Sequence, residues 1–382
     1  MAVDADEPVF SPRARRAAPL IAAALTVVIV GSLLYLRPAS PSPASHRGPT
    51  TFPQLDGRYR PAFDFVTPSL GWAGILDMGD GKVWVYRTSD GAKHWQRTFI
   101  AQQAIPLAPS IQFFDTAHGL LYTGRLYSTS DGGVHWSTIS VPDGTGNFTF
   151  PTPTKGWALD GLVLYSTQDG GLTWRTAGRA PATFYAVGYG NYVFRPDGEG
   201  WGGGGGPVAE VYVTFDGGAA WRSVPLPAGP VSVPSPEPVG KAYNAGYQTS
   251  VRLVPGGGVL ALESSWLGLV ALYLTVDRGA TWHAIEHPPM ATNASDIAFI
   301  DSRHWWASQL GLIYKTSDAG QSWQGLHTTF PDGLDAWSLN NAHLIDSRHA
   351  WLVITSPRTG RSALMMSSDG GAHWSLVNLP TP

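Results

Sequence analysis

Seven aspartates of this chain recur in one setting. Asp90, Asp131, Asp169, Asp216, Asp277, Asp318 and Asp369 each follow a Thr or Ser by two residues and precede a Trp by five. Repeated carboxylates of this kind suggest a divalent-cation site or acid–base hydrolysis. The spacing argues against both. The Asp-Gly-Gly runs lack the alternating oxygen ligands of a calcium loop. Identical groups spaced about 46 residues apart cannot converge on one substrate. In a tight turn, by contrast, an Asp carboxylate accepts hydrogen bonds from backbone N–H groups two or more residues on, and Gly supplies the positive φ. His94, His135 and His373 share one position of the pattern that elsewhere holds Thr, Ser or Ala, which fits turn residues better than zinc ligands. The pattern implies no metal and no cofactor. Cysteine is absent, which excludes disulfides, thiolate sites and thiol nucleophiles together.

Other carboxylates are better placed for chemistry. A glycosidase needs two facing carboxyl groups roughly 5–10 Å apart, and Asp77, Asp160, Glu210 and Glu263 are candidates lying outside the repeated turns. Sequence does not set their separation. Asn147 and Asn293 fit the N-glycosylation pattern, which matters only in a eukaryotic secretory pathway.

The elements that position these residues follow from the repeat, which outranks local signals. The octapeptides are TSDGAKHW (88–95), TSDGGVHW (129–136), TQDGGLTW (167–174), TFDGGAAW (214–221), TVDRGATW (275–282), TSDAGQSW (316–323) and SSDGGAHW (367–374). Their tryptophans are Trp95, Trp136, Trp174, Trp221, Trp282, Trp323 and Trp374. A second element precedes each, a small residue followed by Trp or a substitute: Gly71-Trp72, Gly156-Trp157 and Gly200-Trp201, with degraded copies at Gly119-Leu120, Gly258-Val259, His304-Trp305 and Ala350-Trp351. Each unit can be written as four short strands. In the first they fall near Ala62–Val66, Trp72–Leu76, Lys82–Arg87 and Trp95–Phe99, with the octapeptide as the hairpin turn between the third and fourth. Four-stranded units repeated radially make a β-propeller. The expected fold is therefore all-β, a seven-bladed propeller over 58–382. Its box tryptophans should cover the joints between blades, each indole N–H finding an acceptor.

These octapeptides resemble the Asp-box (BNR) repeat of sialidases, sortilin-type receptors and the photosystem II assembly factor family. The pairing of an F-x-D-x-x-x-G-W element with T-x-D-G-G-x-x-W is most similar to the last of these. The resemblance covers about residues 58–380 and is specific for fold, while the motif is scaffold in all those families. The first copy departs from it, with Ala92 where Gly usually stands, so a looser turn is expected there. Sialidase chemistry, as that resemblance implies, needs three arginines around a carboxylate, a Tyr/Glu pair, an Asp acid/base and an Arg-Ile-Pro motif near the first blade. Tyr59-Arg60-Pro61 and Phe194-Arg195-Pro196 both lack the apolar residue between Arg and Pro. Sialidases also use six blades.

Residues 17–36 carry no charge and match the apolar thickness of a bilayer. Arg13, Arg15 and Arg16 precede them, so 1–16 reads as a cytoplasmic tail, 17–36 as a transmembrane signal anchor and 37–57 as a Pro/Ser-rich linker. The propeller then lies outside the cytoplasm. The rival reading is cleavage after Ala44, which would release a secreted protein. The exported part has a net charge of −4, with no footprint for nucleic acid.

Antiparallel alternation puts the octapeptide turns at one end of the propeller with the connections between first and second strands. The longer, varied pieces Pro225–Thr249, Gly202–Pro207, Ser264–Gly268 and Thr355–Arg361 fall at the other. Binding residues concentrate on irregular loops carried by a rigid scaffold. Tyr243, Tyr247, Trp266, Trp337 and Arg358 are therefore the candidate contacts for a partner. The preferred reading is a non-enzymatic, protein-binding or assembly scaffold at the membrane. The alternative is a carbohydrate-active hydrolase with a glycan substrate.

Overall fold

The computed structural model describes residues 55–102, 108–143, 145, 147–183, 192–206, 209–227, 247–265, 268–285, 297–309, 312–326, 328, 338–356 and 358–380. The segment 17–36 and most of the linker lie outside them. Among the described residues no helix is long and apolar enough to cross a membrane.

Seven antiparallel sheets of consecutive strands follow one another. Blade 1 is Tyr59–Phe65, Gly71–Asp77, Lys82–Thr88 and Gln96–Gln102; blade 2 is Ser110–Phe113, Gly119–Tyr122, Leu126–Thr129 and Ser137–Ile139. Blade 3 is Asn147–Thr149, Gly156–Asp160, Val163–Thr167 and Arg175–Arg179; blade 4 is Tyr192–Phe194, Gly200–Gly203, Glu210–Thr214 and Arg222–Pro225. Blade 5 is Tyr247–Leu253, Val259–Ser265, Gly268–Thr275 and His283–Ala284. Blade 6 is Ile297–Phe299, Trp305–Gln309, Leu312–Thr316 and Gln324–Leu326; blade 7 is Ser338–Leu344, Ala350–Thr355, Ser362–Ser367 and Ser375–Val377. The chain is a seven-bladed β-propeller. First strands of adjacent blades lie side by side, so they are the innermost. In blade 1 the outer strand begins at Gln96, one residue beyond the tryptophan expected to start it.

The joints between blades are built from the second sequence element. Trp72 of blade 1 stacks on Phe113 of blade 2 (ring centroids 3.4 Å apart), Trp157 on Phe194 (4.1 Å) and Trp351 of blade 7 on Phe65 of blade 1 (4.1 Å). Burying flat rings against each other removes large apolar area from water. The small residue before each Trp has its own reason. A Cβ on Gly71 would stand 2.3 Å from the Phe65 ring, which folds over that backbone position.

Pairing also corrects the register in two blades. Gly71 lies opposite Thr88, whereas the residues opposite Thr275 and Thr316 are Val259 and Trp305. The copies in blades 5 and 6 are thus Val259-Leu260 and Trp305-Trp306, one residue later than Gly258-Val259 and His304-Trp305. Where Leu120 replaces the tryptophan, at the joint of blades 2 and 3, a cleft opens between Leu120, Gln112, Tyr122 and Phe148.

The ring closes without exchanging a whole strand, because blade 7 and blade 1 each take their four strands from consecutive chain. A short staple does the work instead. Leu55 N–H donates to the Ser362 carbonyl (2.8 Å) and Ser362 N–H donates to that of Leu55 (3.1 Å). The Leu55 side chain is buried with Ala73, Ile75 and Tyr86 of blade 1. Further out, the Trp95 indole donates to the Asn378 carbonyl (2.9 Å), and the Asn378 amide donates back to Lys93 (3.0 Å). On the inner strands the His343 imidazole meets the Phe65 carbonyl at 2.6 Å.

Candidate functional site

The octapeptide turns share one hydrogen-bond pattern. The Thr or Ser hydroxyl donates to the first carboxylate oxygen of the Asp at 2.6–3.0 Å. The same hydroxyl accepts the N–H of the fifth residue at 2.8–3.0 Å. The N–H of the seventh residue donates to that carboxylate oxygen at 2.9–3.0 Å. In six turns the seventh side chain (His94, His135, Thr173, Thr281, Ser322 or His373) bonds the second oxygen at 2.5–2.7 Å. These donors favour the ionised carboxylate. Asp90 and Asp131 are held at about 2, chiefly by the backbone N–H of His94 and His135. Asp169, Asp277 and Asp318 are also held at about 2, chiefly by the hydroxyls of Thr173, Thr281 and Ser322. Asp216 and Asp369 are lowered as well, first by the N–H of Ala220 and of His373.

Six of the turns are also clamped within their blades to the link between strands one and two. Gly91 N–H donates to Ser69, Gly132 to Ala117, Gly170 to Thr154 and Gly370 to Arg348, at 2.8–2.9 Å. Turn and link therefore share one end of the propeller. The first turn is no looser than the rest: Ala92 takes φ 65° and keeps the bond to Thr88 at 3.0 Å. Trp72 and Trp157 donate their indole N–H to Gly132 and Gly217 of the following blade. That of Trp351, which faces Ala92, is buried with no acceptor among the described residues.

The indoles of the octapeptides divide. Trp95, Trp136, Trp174 and Trp374 donate to the carbonyls of Asn378, Gly133, Ser140 and Gly371 at 2.9–3.0 Å. The N–H groups of Trp282 and Trp323 find no acceptor among the described residues. Trp221 packs edge-on to Phe194.

Of the residues expected at the opposite end, Tyr243, Trp266 and Trp337 lie outside the described residues. Tyr247 opens the first strand of blade 5, opposite Gly206. Arg358 is exposed in the link between Thr355 and Ser362, close to where Leu55 joins blade 7. Asp77 is buried and spent, bonded by Arg58 at 2.5 Å and by the Gly79 N–H at 2.8 Å. Asp160 ends the second strand of blade 3, opposite Val163 across a tight turn.

Thr249 connects the strands that carry Glu210 and Glu263. Thr249 lies opposite Glu263 in blade 5, and its hydroxyl reaches the backbone carbonyl of Glu210 in blade 4. Each carboxylate takes a phenol: Tyr212 O–H donates to Glu210 at 2.7 Å and Tyr273 O–H to Glu263 at 3.0 Å. Glu263 is 3 % exposed, and burial raises its carboxyl despite the tyrosine. A feature unforeseen from sequence frames this pair. Gly205 and Gly206 leave blade 4 and pair with Gln248 and Tyr247, adding a fifth strand at the inner edge of blade 5. The run of five glycines, 202–206, was the available signal.

The two Arg-Pro sequences do not meet. Arg60 bonds its own strand's start, at the Gly57 and Tyr59 carbonyls. Arg195 is held at the octapeptide end by Glu199 (3.1 Å) and the Gly258 carbonyl (2.7 Å). Lying at opposite ends, they cannot share one carboxylate. Among the described residues no group of three or more His, Asp or Glu is placed to hold a metal ion.

No family model matches the chain, and no curated protein matches it. Solved structures do. YCF48 bound to D1 peptide is 15 % identical with a TM-score of 0.51, covering 83 % of this chain and 99 % of that one. An oligogalacturonate lyase from Vibrio parahaemolyticus is 9 % identical with a TM-score of 0.53, covering 82 % and 92 %. The GH74 xyloglucanase from Xanthomonas campestris is 15 % identical with a TM-score of 0.46, covering 85 % and 68 %. At these identities the likeness is one of fold.

Proposed function

We propose that this chain is an Asp-box propeller, tethered to the membrane through 17–36, that binds a protein segment outside the cytoplasm as an assembly scaffold. The observation that carries this reading is the fate of the seven repeated carboxylates. Six of them have both oxygens bonded inside their own turn and Asp216 has one, so the repeat builds a rigid ring and offers no catalytic constellation. A propeller of the same fold, YCF48, is seen with a peptide, which supports a protein partner in kind. The contacts expected here are those of the irregular end, Tyr243, Tyr247, Trp266, Trp337 and Arg358. Affinity capture from native membranes tests this. A stoichiometric protein should accompany the full-length chain and be lost when Tyr243, Tyr247 and Trp266 are replaced by alanine. Retention of the same partner by that variant would move the contact elsewhere.

A second reading, a glycan hydrolase, is favoured by one specific observation. Glu263 is a buried carboxyl whose pKa is raised by burial, the environment a general acid requires. A panel of glycosides assayed with wild type and Glu263→Gln separates the two: turnover abolished by that change establishes the hydrolase.

A further inference from the structure

Four of the exposed apolar side chains stand on the octapeptide turns of consecutive blades. They are Val134 (54 % exposed), Leu172 (84 %), Phe215 (48 %) and Val276 (68 %). The matching positions in blades 6, 7 and 1 hold Ser317 and Gln321, Ser368 and Ala372, and Ser89 and Lys93. The turn does not need these apolar tips, since all seven copies make the same backbone bonds. An apolar arc confined to part of a ring of equivalent turns marks a contact surface.

At the middle of this arc one carboxylate differs from its six counterparts. Asp216 receives the Thr214 hydroxyl (2.7 Å) and the Ala220 N–H (3.0 Å) on one oxygen. Its seventh residue is Ala220, so the second oxygen lacks the side-chain donor that His, Thr or Ser supplies in the other turns. Nearby cations at this end are engaged: Arg278 with Glu199 (3.1 Å) and over the Phe215 ring (5.8 Å), Arg195 with Glu199, and Lys155 with the Pro196 carbonyl (2.8 Å). Arg175 and Arg222 are exposed, on the outermost strands. Asp216 thus offers an exposed, ionised oxygen between Leu172 on one side and Val276 on the other, next to Phe215.

We infer that the octapeptide end of blades 3–5 docks a protein segment that carries a Lys or Arg between two aliphatic side chains. The cation bonds the open oxygen of Asp216, a charge-assisted contact, and the aliphatic groups cover Leu172, Phe215 and Val276. This adds a second contact surface to the scaffold reading and rests on it. A lipid surface is the less suitable occupant, because the arc intersperses its apolar tips with the ionised Asp131, Asp169, Asp216 and Asp277.

The test is a substitution that closes the site while leaving the turn intact. Ala220→Thr gives Asp216 the hydroxyl its counterparts Asp169 and Asp277 already have. Fluorescence anisotropy of the full-length protein would be read with labelled peptides centred on Leu-Lys-Leu, Leu-Gln-Leu and Leu-Glu-Leu. The Lys peptide should bind with a Kd below about 1 mM, a modest affinity, and at least tenfold more tightly than the Gln or Glu peptide. Ala220→Thr and Leu172→Ser should each weaken it at least fivefold, with thermal midpoints at or near wild type. Equal binding to wild type and both variants overturns the inference, as does no saturable binding of the Lys peptide. A fluorophore on Leu172→Cys that is quenched by spin-labelled lipid in nanodiscs also overturns it, in favour of the bilayer. If wild type shows no saturable binding of the Lys peptide while it still captures the native partner, the scaffold reading stands and only this surface is withdrawn.

Discussion

Gly217 and Gly218 are adjacent in one turn, both with positive φ (75° and 99°), yet alanine should cost very different amounts at each. A Cβ on Gly217 meets nothing within 4 Å, whereas one on Gly218 stands 2.2 Å from Leu164 Cδ2 of blade 3. Gly217→Ala therefore suffers only the left-handed backbone, about 1–2 kcal/mol, offset by about 0.5–1 kcal/mol from the lower entropy of the unfolded chain. The net is about 1 kcal/mol or less. Gly218→Ala adds overpacking of a buried joint, about 1–3 kcal/mol more. With an unfolding entropy near 2.1 cal/mol/K per residue over about 330 residues, 1 kcal/mol shifts the midpoint by about 1.5 °C. A thermal melt should thus show a drop of about 1 °C for Gly217→Ala and about 3–6 °C for Gly218→Ala. Adding Leu164→Ala to Gly218→Ala should recover part of the clash, visible as a favourable coupling in a double-mutant cycle. Equal drops for the two glycines, or strict additivity with Leu164→Ala, would refute this account of the joint. Among the natural copies two fill the open position, Arg278 and Ala319 (φ 59° and 61°), and one, Ala92 (φ 65°), fills the crowded position.

Three further outcomes follow from the same structure. Because Asp90, Asp131, Asp169, Asp277 and Asp318 are held at about 2 in the fold, below the ordinary carboxylate range, their stabilisation is present above about pH 4. It is lost as pH falls towards 2; the melting midpoint should decline across that window, less steeply in Asp169→Asn, and a flat profile contradicts the turn assignment. Trp72→Ala removes a fully buried ring from the joint of blades 1 and 2 and should cost about 3–5 kcal/mol in denaturant unfolding, with an effect under 1 kcal/mol counting against the stacked joint. Mass spectrometry of the mature N-terminus tests the anchor: a chain beginning at Ser45 shows cleavage instead.

The octapeptides made the propeller legible because each encodes a whole hairpin turn: hydroxyl, carboxylate, positive-φ residue and packing Trp. The second element was less secure. In blades 5 and 6 Gly258 and His304 look like the small residue of the pair, but the backbone places Val259 and Trp305 there, since only opposition to Thr275 and Thr316 fixes the register. Ring closure by Leu55 and the Gly205–Gly206 crossing were invisible, because both depend on contacts between residues far apart in the chain. The neighbourhood of Glu210 and Glu263 was hidden for the same reason: Thr249 links them, and nothing local to any of the three signals it. The tips Leu172 and Val276 were readable as residues of the repeat at one end of the propeller, but their exposure is set by the folded turn.

Whether this propeller engages a protein, as proposed, or turns over a substrate is decided by photo-crosslinking in the native membrane. A benzophenone amino acid would be placed in turn at Arg358, on the irregular end, and at Leu172, on the octapeptide end. Discrete protein adducts of defined mass, dependent on the position of the probe, are expected. No adduct from either end, together with glycan cleavage by the purified protein that disappears in Glu263→Gln, would contradict the proposal.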